Sequence, residues 1–120
     1  MKVGKKSTGG RYKKSRKKKL YEKPGLARQV TLGEIKKKVL KTRGGHFKTV
    51  LLKANKANLL DKKTNKSSVV LIKNVIEVPS NKFLARKNVI VKGAIIDTEK
   101  GKARVTNRPG QEAHIEAVLI

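Results

Sequence analysis

The sequence contains no cysteine and no tryptophan, and its aromatic residues are two tyrosines and two phenylalanines. Without cysteine, disulfide bonds and thiolate metal sites are excluded. No apolar run approaches the roughly 20 residues that a membrane-spanning helix needs, and residues 1–23 lack the apolar central stretch of a signal peptide. These absences favour a cytoplasmic location and argue against a membrane partner.

Acidic residues are also scarce. Eight Asp and Glu stand against 32 Lys and Arg, which gives the 120-residue chain a formal net charge of +24 and a pI near 10.7. Repulsion among so many positive charges opposes a compact fold unless a polyanion neutralises them. Nucleic acid, an anionic membrane surface and an acidic protein are the three candidates. The length suits one domain with an extension.

Groups that carry catalysis are few. The two histidines, His46 in a Gly-Gly turn and His114 near the C-terminus, have no cysteine to complete a zinc site with them. Asp97 and Glu99 could act as an acid and a base, but a solvated pair beside nearby lysines is the simpler interpretation. No nucleophile elbow, phosphate-binding loop or dinucleotide-binding glycine motif is present. We therefore expect no enzymatic activity, no cofactor, no metal and no small-molecule substrate.

Positive charge is densest toward the N-terminus. Residues 1–43 hold 17 basic and 2 acidic residues, and residues 1–23 hold 11 basic residues against Glu22 alone. Such a segment buries too little apolar surface to offset its ordering entropy, so we expect it to be disordered until a partner binds. Gly9 and Gly10 let its backbone approach a phosphate closely. Pro24 and Gly25 mark the junction with the folded part, and we assign residues 1–31 to a basic N-terminal extension and residues 32–120 to a β-barrel domain.

The remainder of the chain alternates short β-branched and aliphatic runs with turn residues, a pattern typical of an all-β sandwich or barrel. The predicted fold is a small barrel of about six to seven short antiparallel strands. Helix is predicted only as a transient in the N-terminal extension or as one turn near residues 26–32. The candidate strands are residues 35–42, 47–54, 68–78, 88–91, 94–98, 102–106 and 114–119.

A dense basic run at positions 11–19 predicts nucleic-acid binding, because Lys and Arg attract phosphates at long range and release counterions on contact. Arg also offers a planar fork for phosphate and a plane for an unpaired base. A nuclear-localisation signal or a solubilising tail would explain the run alone, but basic residues also lie on several predicted turns of the body. The predicted RNA-binding residues are Lys5, Lys6, Arg11, Tyr12, Lys13, Lys14, Arg16, Lys17, Lys18, Lys19 and Arg28, and in the body Lys41, Arg43, Lys48, Arg86, Lys87, Lys92, Lys102, Arg104 and Arg108.

The aromatic residues receive two different predictions. Phe47 and Phe83 sit beside aliphatic runs, so we expect both to pack in the core. Tyr12 lies within the basic extension, where stacking on an RNA base is its most obvious use. Because so few aromatics are available to a sheet face, the sequence indicates recognition of shape and phosphate rather than base-by-base readout.

Several short segments also carry a family resemblance, and they occur in order along essentially the whole chain. They are Thr8-Gly9-Gly10-Arg11, Arg16-Lys17-Lys18-Lys19, Lys41-Thr42-Arg43-Gly44-Gly45, Val91-Lys92-Gly93-Ala94, the run from Gly101 to Gln111, and Ala117-Val118-Leu119-Ile120. The sequence resembles the archaeal form of the small-subunit ribosomal protein family that archaea and eukaryotes share, called S-eight-e. The resemblance implies a structural component of the small subunit that binds its ribosomal RNA through a basic extension and a small β-barrel, beside other small-subunit ribosomal proteins.

Two other functions stay open at this point. One is a ribosome-assembly factor that leaves before the subunit matures, although the factors of the related branch are longer and carry extra segments. The other is a free nucleic-acid binder, such as a chromatin or transcription protein. A DNA regulator normally uses a recognition helix or a symmetric dimerising hairpin, and the sequence predicts no such helix. We therefore prefer the ribosomal function, for a protein that is monomeric outside the ribosome.

Overall fold

The computed structural model describes residues 4–12 and 16–120, and strands dominate it. The structure also contains one short helix, α1 (Lys82–Arg86), and 3-10 turns at Leu20–Glu22 and Arg43–Gly45. The predicted all-β class is confirmed. The strands are β1 (Val30–Leu32), β2 (Lys36–Lys41), β3 (Phe47–Ala54), β4 (Lys56–Asp61), β5 (Lys66–Glu77), β6 (Val89–Ile90), β7 (Ile95–Thr98), β8 (Gly101–Val105) and β9 (Glu116–Leu119).

The strands divide between a closed barrel and a separate sheet. The barrel has the order β4-β5-β7-β8-β9 and closes where β9 pairs with β4 in parallel, while the sheet has the order β2-β3-β1-β6. In the sheet, β1 runs parallel to β3. The predicted small barrel is confirmed, but it contains five strands instead of six or seven, and two pairings are parallel instead of antiparallel.

Small side chains explain why five strands can close into a barrel. In β8, Ala103 and Val105 alternate with outward-facing Lys102 and Arg104, so every second residue points inward. Four more alanines, at positions 54, 57, 94 and 117, are buried in the same core. A barrel of so few strands has a narrow interior that small and branched side chains fill completely.

One core joins the barrel to the sheet. Val30 and Leu51 from the sheet belong to the same buried cluster as Ile72, Ile96 and Ile115. Burial of this aliphatic surface is the main favourable contribution to folding. The chain from Val30 onward therefore folds as one unit.

The predicted strands are all present, β3 with its predicted ends and the others with shifted ends, but two further strands and α1 were not predicted. The helical turn predicted near residues 26–32 is wrong, because Val30–Leu32 form β1 between β3 and β6. Three residues are too short to show a strand periodicity, and their conformation depends on strands distant in sequence. Likewise β4 contains Lys56 and Asn58, residues that seldom indicate a strand on their own.

The N-terminal segment contributes little to the core. No described residue before Val30 is buried. The Cα radius of gyration is 20.2 Å, against roughly 14 Å for a compact chain of this length, which is consistent with a protruding segment. β1 straddles the boundary assigned between residues 31 and 32, and the division into a binding extension and a barrel domain stays a prediction.

Candidate nucleic-acid interface

Residues 5–11 form a tight turn that brings basic side chains together. Lys5 and Arg11 face each other in an antiparallel bridge, and the amide of Lys6 donates a hydrogen bond to the carbonyl of Gly10 at 2.7 Å. Gly9 has a φ of 80°, a left-handed conformation that glycine adopts without steric cost. All three basic residues are exposed, so the turn presents them to solvent as a group.

Tyr12 follows directly after this turn. Its side chain is 54 % exposed, and Nζ of Lys6 lies 5.6 Å from the centre of its ring. At that distance the ammonium group is attracted to the face of the ring. The ring therefore lies beside a cationic group with more than half of its surface accessible, and its stacking on an RNA base stays a prediction.

Arg16 forms an ion pair with Glu22. Its guanidinium donates a hydrogen bond to Oε2 of Glu22 at 2.9 Å, and the amide of Lys19 donates to the same atom at 3.0 Å. Both contacts lower the pKa of the Glu22 carboxyl, and the hydrogen bond from Arg16 has the larger effect. Because the pair is exposed, little free energy opposes its opening, and a phosphate can replace the carboxylate. The neighbouring lysines at positions 17, 18 and 19 are also exposed. Two other predicted RNA-binding residues, Lys13 and Lys14, lie outside the described part of the chain.

The hairpin of β2 and β3 carries three of the predicted RNA contacts near its turn. Lys41 ends β2, Arg43 opens the connecting 3-10 turn, and Lys48 follows at the start of β3. All three are exposed. Their proximity follows from the hairpin register, so the structure gathers them on one projecting element.

Both phenylalanines lie on the surface, so their predicted role in the core is wrong. Phe47 is 70 % exposed because β1 reaches β3 only at its other end and leaves the hairpin end uncovered. Phe83 is 69 % exposed because α1 turns Leu84 and Ala85 toward the core instead. The Phe83 ring centre lies 5.9 Å from Cζ of Arg86, a cation–π distance. Both rings are accessible to a partner.

Two further pairs of predicted RNA-binding residues are also exposed. Arg86 and Lys87 end α1, and Lys102 and Arg104 project outward from β8. Asp97, one of the two carboxylates weighed as a catalytic group, lies opposite Lys102 in the register of β7 and β8. This cross-strand position fits the simpler interpretation of a carboxylate beside lysines.

Three predicted contacts from distant parts of the sequence meet at one cavity of about 390 Å³. Arg28 comes from the segment before β1, Lys92 from the turn between β6 and β7, and Arg108 from the loop between β8 and β9. No acidic residue is among the described residues that line it. Its other lining residues are Gly25, Leu26, Ala27, Ile90, Val91, Pro109, Gly110 and Gln111.

Another cavity, of about 550 Å³, lies on the outer face of the barrel where β4, β5 and β9 adjoin. It includes Leu60, Val69 and Val118, together with polar residues and Glu116. None of its described lining residues is Lys or Arg. The positive surface is therefore uneven, and this face offers least to a polyanion.

The histidines do not form a metal site. His46 ends the β2–β3 turn, and Nε2 of His114 lies 3.1 Å from Oε1 of Glu116. Across residues 4–12 and 16–120, no group of three or more His, Cys, Asp or Glu residues is arranged to hold a metal ion. Over the same residues, no helix is long and apolar enough to cross a membrane.

The sequence did not predict the apolar and amide residues that line the cavity together with Arg28, Lys92 and Arg108. Val91 and Pro109 form part of its wall, Gln111 lies at its edge, and Leu26 is 99 % exposed beside it. No local pattern could have grouped these residues, because they come from three separate segments: the segment before β1, the end of β6 and the loop between β8 and β9. The one available signal was an isolated leucine in a polar stretch.

The fold and the distribution of charge define a class of protein, a small β-barrel protein with an exposed basic surface and a basic N-terminal segment. Comparison with known sequences narrows the class. Residues 1–120 match the sequence profile of the family described as ribosomal protein S8e. The chain therefore belongs to the ribosomal protein S8e family, as its sequence motifs suggested.

Archaeal relatives agree with this assignment. The chain is 45 % identical over 116 residues to the small ribosomal subunit protein eS8 of Methanococcus aeolicus, an alignment that covers 96 % of this chain and 91 % of the relative. It is 44 % identical over 115 residues to the eS8 protein of Methanocorpusculum labreanum, with 96 % and 92 % covered. For the eS8 protein of Methanocella arvoryzae the values are 43 % over 118 residues, with 96 % and 92 % covered.

Proposed function

We propose that the chain is a structural component of the small ribosomal subunit and binds small-subunit ribosomal RNA through its basic extension and the basic turns of its β-barrel body. The names of its relatives support the choice of subunit. The protein then works in the cytoplasm on the ribosome, beside other small-subunit ribosomal proteins, and is monomeric outside it. Its role is structural, without an enzymatic reaction, a cofactor or a small-molecule substrate.

One observation carries the proposal: the basic residues that the structure describes form almost no ion pairs with the protein's own carboxylates. Across residues 4–12 and 16–120, Arg16 is the one Lys or Arg that forms an ion pair with a carboxylate. Every predicted RNA-binding residue that the structure describes is exposed. RNA phosphates supply the negative charge that the chain lacks, and release of their counterions contributes to the affinity.

The arrangement of these residues also favours one mode of binding. They lie on the N-terminal segment, a projecting hairpin, a helix end and an outer strand, which suits contacts to several phosphates of a folded RNA. The helix α1 has five residues, too few to fill a DNA major groove as a recognition helix does. Recognition of RNA shape is therefore the mode that we propose.

Substitution of the extension tests the proposal. In one variant, Arg11, Arg16 and Lys17 become Ala; in the matched control, Lys62, Lys63 and Lys66, at the turn between β4 and β5, become Ala. Each variant loses three positive charges. We expect the slope of log affinity for small-subunit rRNA against log salt to fall by roughly two units in the first variant, and by clearly less in the control. Equal slopes in both variants and the unmodified chain would mean that the extension does not contact RNA.

A further inference from the structure

The cavity lined by Arg28, Lys92 and Arg108 differs in kind from the other basic regions. Elsewhere the predicted contacts project from convex elements such as the β2–β3 hairpin. Here three cationic side chains surround a concave space of about 390 Å³. That volume lies within the usual range of small-ligand pockets, roughly 300–1,000 Å³.

Close backbone packing holds two sides of this cavity together. A Cβ built on Gly110 would lie 2.8 Å from the carbonyl oxygen of Arg28 and 3.6 Å from its Cβ. The segment before β1 therefore crosses the loop between β8 and β9 at a distance that only glycine permits. The amide of Gln111 donates a hydrogen bond to the carbonyl of Arg108 at 2.9 Å, which closes that loop into a turn. Arg28 and Arg108 are thus fixed relative to each other through their backbones.

The third side of the cavity is a separate turn. The amide of Ala94 donates a hydrogen bond to the carbonyl of Val91 at 3.1 Å, and Gly93 between them has a φ of 83°. This turn places Lys92 at the rim and Val91 in the wall. Ile90 and Pro109 are buried beneath. The cavity therefore has an apolar floor and a cationic rim.

The chemistry of this cavity suits a ligand that is flat and apolar in one part and anionic in another. A nucleotide has both parts. Its base can lie against Val91, which is half-buried, and stack on a guanidinium plane, while its phosphates meet the three cations. The side-chain amide of Gln111 can donate to or accept from the edge of the base.

We propose that this cavity holds one unpaired nucleotide of the bound RNA, a proposal that rests on the function proposed above. Base stacking and phosphate contact then act together at one position on the body of the protein. A base paired within a helix would not reach the floor, so the nucleotide comes from a loop, a bulge or a strand end. Leu26, which is almost fully exposed at the edge of the cavity, lies against a neighbouring nucleotide in this arrangement.

A photocrosslink identifies the occupant. The full-length chain is prepared with p-benzoylphenylalanine in place of Leu26, where a bulky side chain meets open space. A second preparation carries it in place of Val69, which lines the barrel cavity that has no Lys or Arg among its lining residues. Each is bound to small-subunit rRNA and to reconstituted small subunits. We expect the first probe to crosslink to one unpaired rRNA position and the second to give no crosslink to RNA. A crosslink from the first probe to a neighbouring protein, or to many base-paired positions, would overturn the proposal.

A double-mutant cycle then tests stacking at that position. An rRNA fragment with an abasic residue at the crosslinked position is compared with the intact fragment, for the unmodified chain and for the K92Q/R108Q variant. K62Q/K63Q, which removes the same charge from an exposed turn, is the control. We expect the abasic residue to weaken binding by at least about fivefold for the unmodified chain and the control, and by much less for K92Q/R108Q. Equal weakening of all three would overturn the nucleotide pocket while leaving rRNA binding intact, whereas no binding of intact rRNA by the unmodified chain would overturn the proposed function itself.

Discussion

Gly110 and Arg28 approach so closely that the missing side chain of Gly110 determines how the N-terminal segment joins the barrel. A Cβ on Gly110 would lie 2.8 Å from the carbonyl oxygen of Arg28, a backbone atom that cannot rotate away. This contact positions one of the three basic residues around the concave part of the candidate interface. It also lies just before β1, the strand that connects the N-terminal segment to the core.

The G110A variant tests this contact. Insertion of a methyl group into close packing forces the backbone to shift, and we expect a loss of about 1–3 kcal/mol in the free energy of unfolding, measured by urea denaturation. G25A is the matched control, because no atom lies within 4 Å of a Cβ built there. G25A should be neutral or slightly stabilising. A G110A protein as stable as G25A would show that the approach is not close in solution.

A second prediction concerns the pair of Arg16 and Glu22. Replacement of Glu22 by Gln removes the carboxylate that occupies the guanidinium, so Arg16 becomes available to a phosphate. We expect E22Q to bind rRNA more tightly than the unmodified chain, because a phosphate no longer has to displace the carboxylate, and we expect the salt slope to stay nearly the same. E99Q removes the same charge from a turn whose carboxylate forms no ion pair in the described chain. Equal affinities for E22Q and E99Q would indicate that Arg16 does not contact RNA.

The same pair predicts a pH dependence in the free protein. Because the hydrogen bonds from Arg16 and Lys19 lower the pKa of Glu22 below its ordinary value of 4.5, ionised Glu22 favours the ordered segment. That contribution is fully present above pH 4.5 and is lost as the pH falls through the lowered value. NMR titration of the Glu22 carboxyl carbon measures this lowered pKa. A Glu22 midpoint at or above 4.5 would contradict the ion pair.

Local alternation allowed much of the barrel to be predicted from sequence. In β8, buried Ala103 and Val105 alternate with exposed Lys102 and Arg104, and β3 was predicted with its observed ends. The strand β4 was not predictable in this way. Its Asn58 is compatible with a strand because it pairs with Val69 across the β4–β5 hairpin and with Glu116, which is distant in sequence.

The candidate interface was predictable in composition but not in arrangement. Charge identified Arg28, Lys92 and Arg108 one at a time, yet their shared cavity depends on the path of three separate loops. The error at Phe47 has a similar origin. Its sequence environment suits a buried strand, and only the tertiary structure shows that no element covers the end of the hairpin.

Removal of residues 1–23 tests the division into an extension and a folded body. No described residue in that range is buried, so the core loses no apolar contact. We expect circular dichroism and urea denaturation to show a folded β protein of nearly unchanged stability. Affinity for rRNA should fall strongly and its salt slope should decrease by several units, since most of the basic residues of the extension are lost. An unfolded truncated chain would contradict the two-part description.

Sedimentation of the tagged full-length chain from cells tests the central claim most directly. Extracts are separated on sucrose gradients before and after a high-salt wash, and the protein is quantified against the small-subunit rRNA in each fraction. We predict near-stoichiometric recovery with mature small subunits that survives the wash. Recovery only with precursor particles would indicate an assembly factor, and recovery only with DNA would indicate a chromatin or transcription protein; either result would contradict the account.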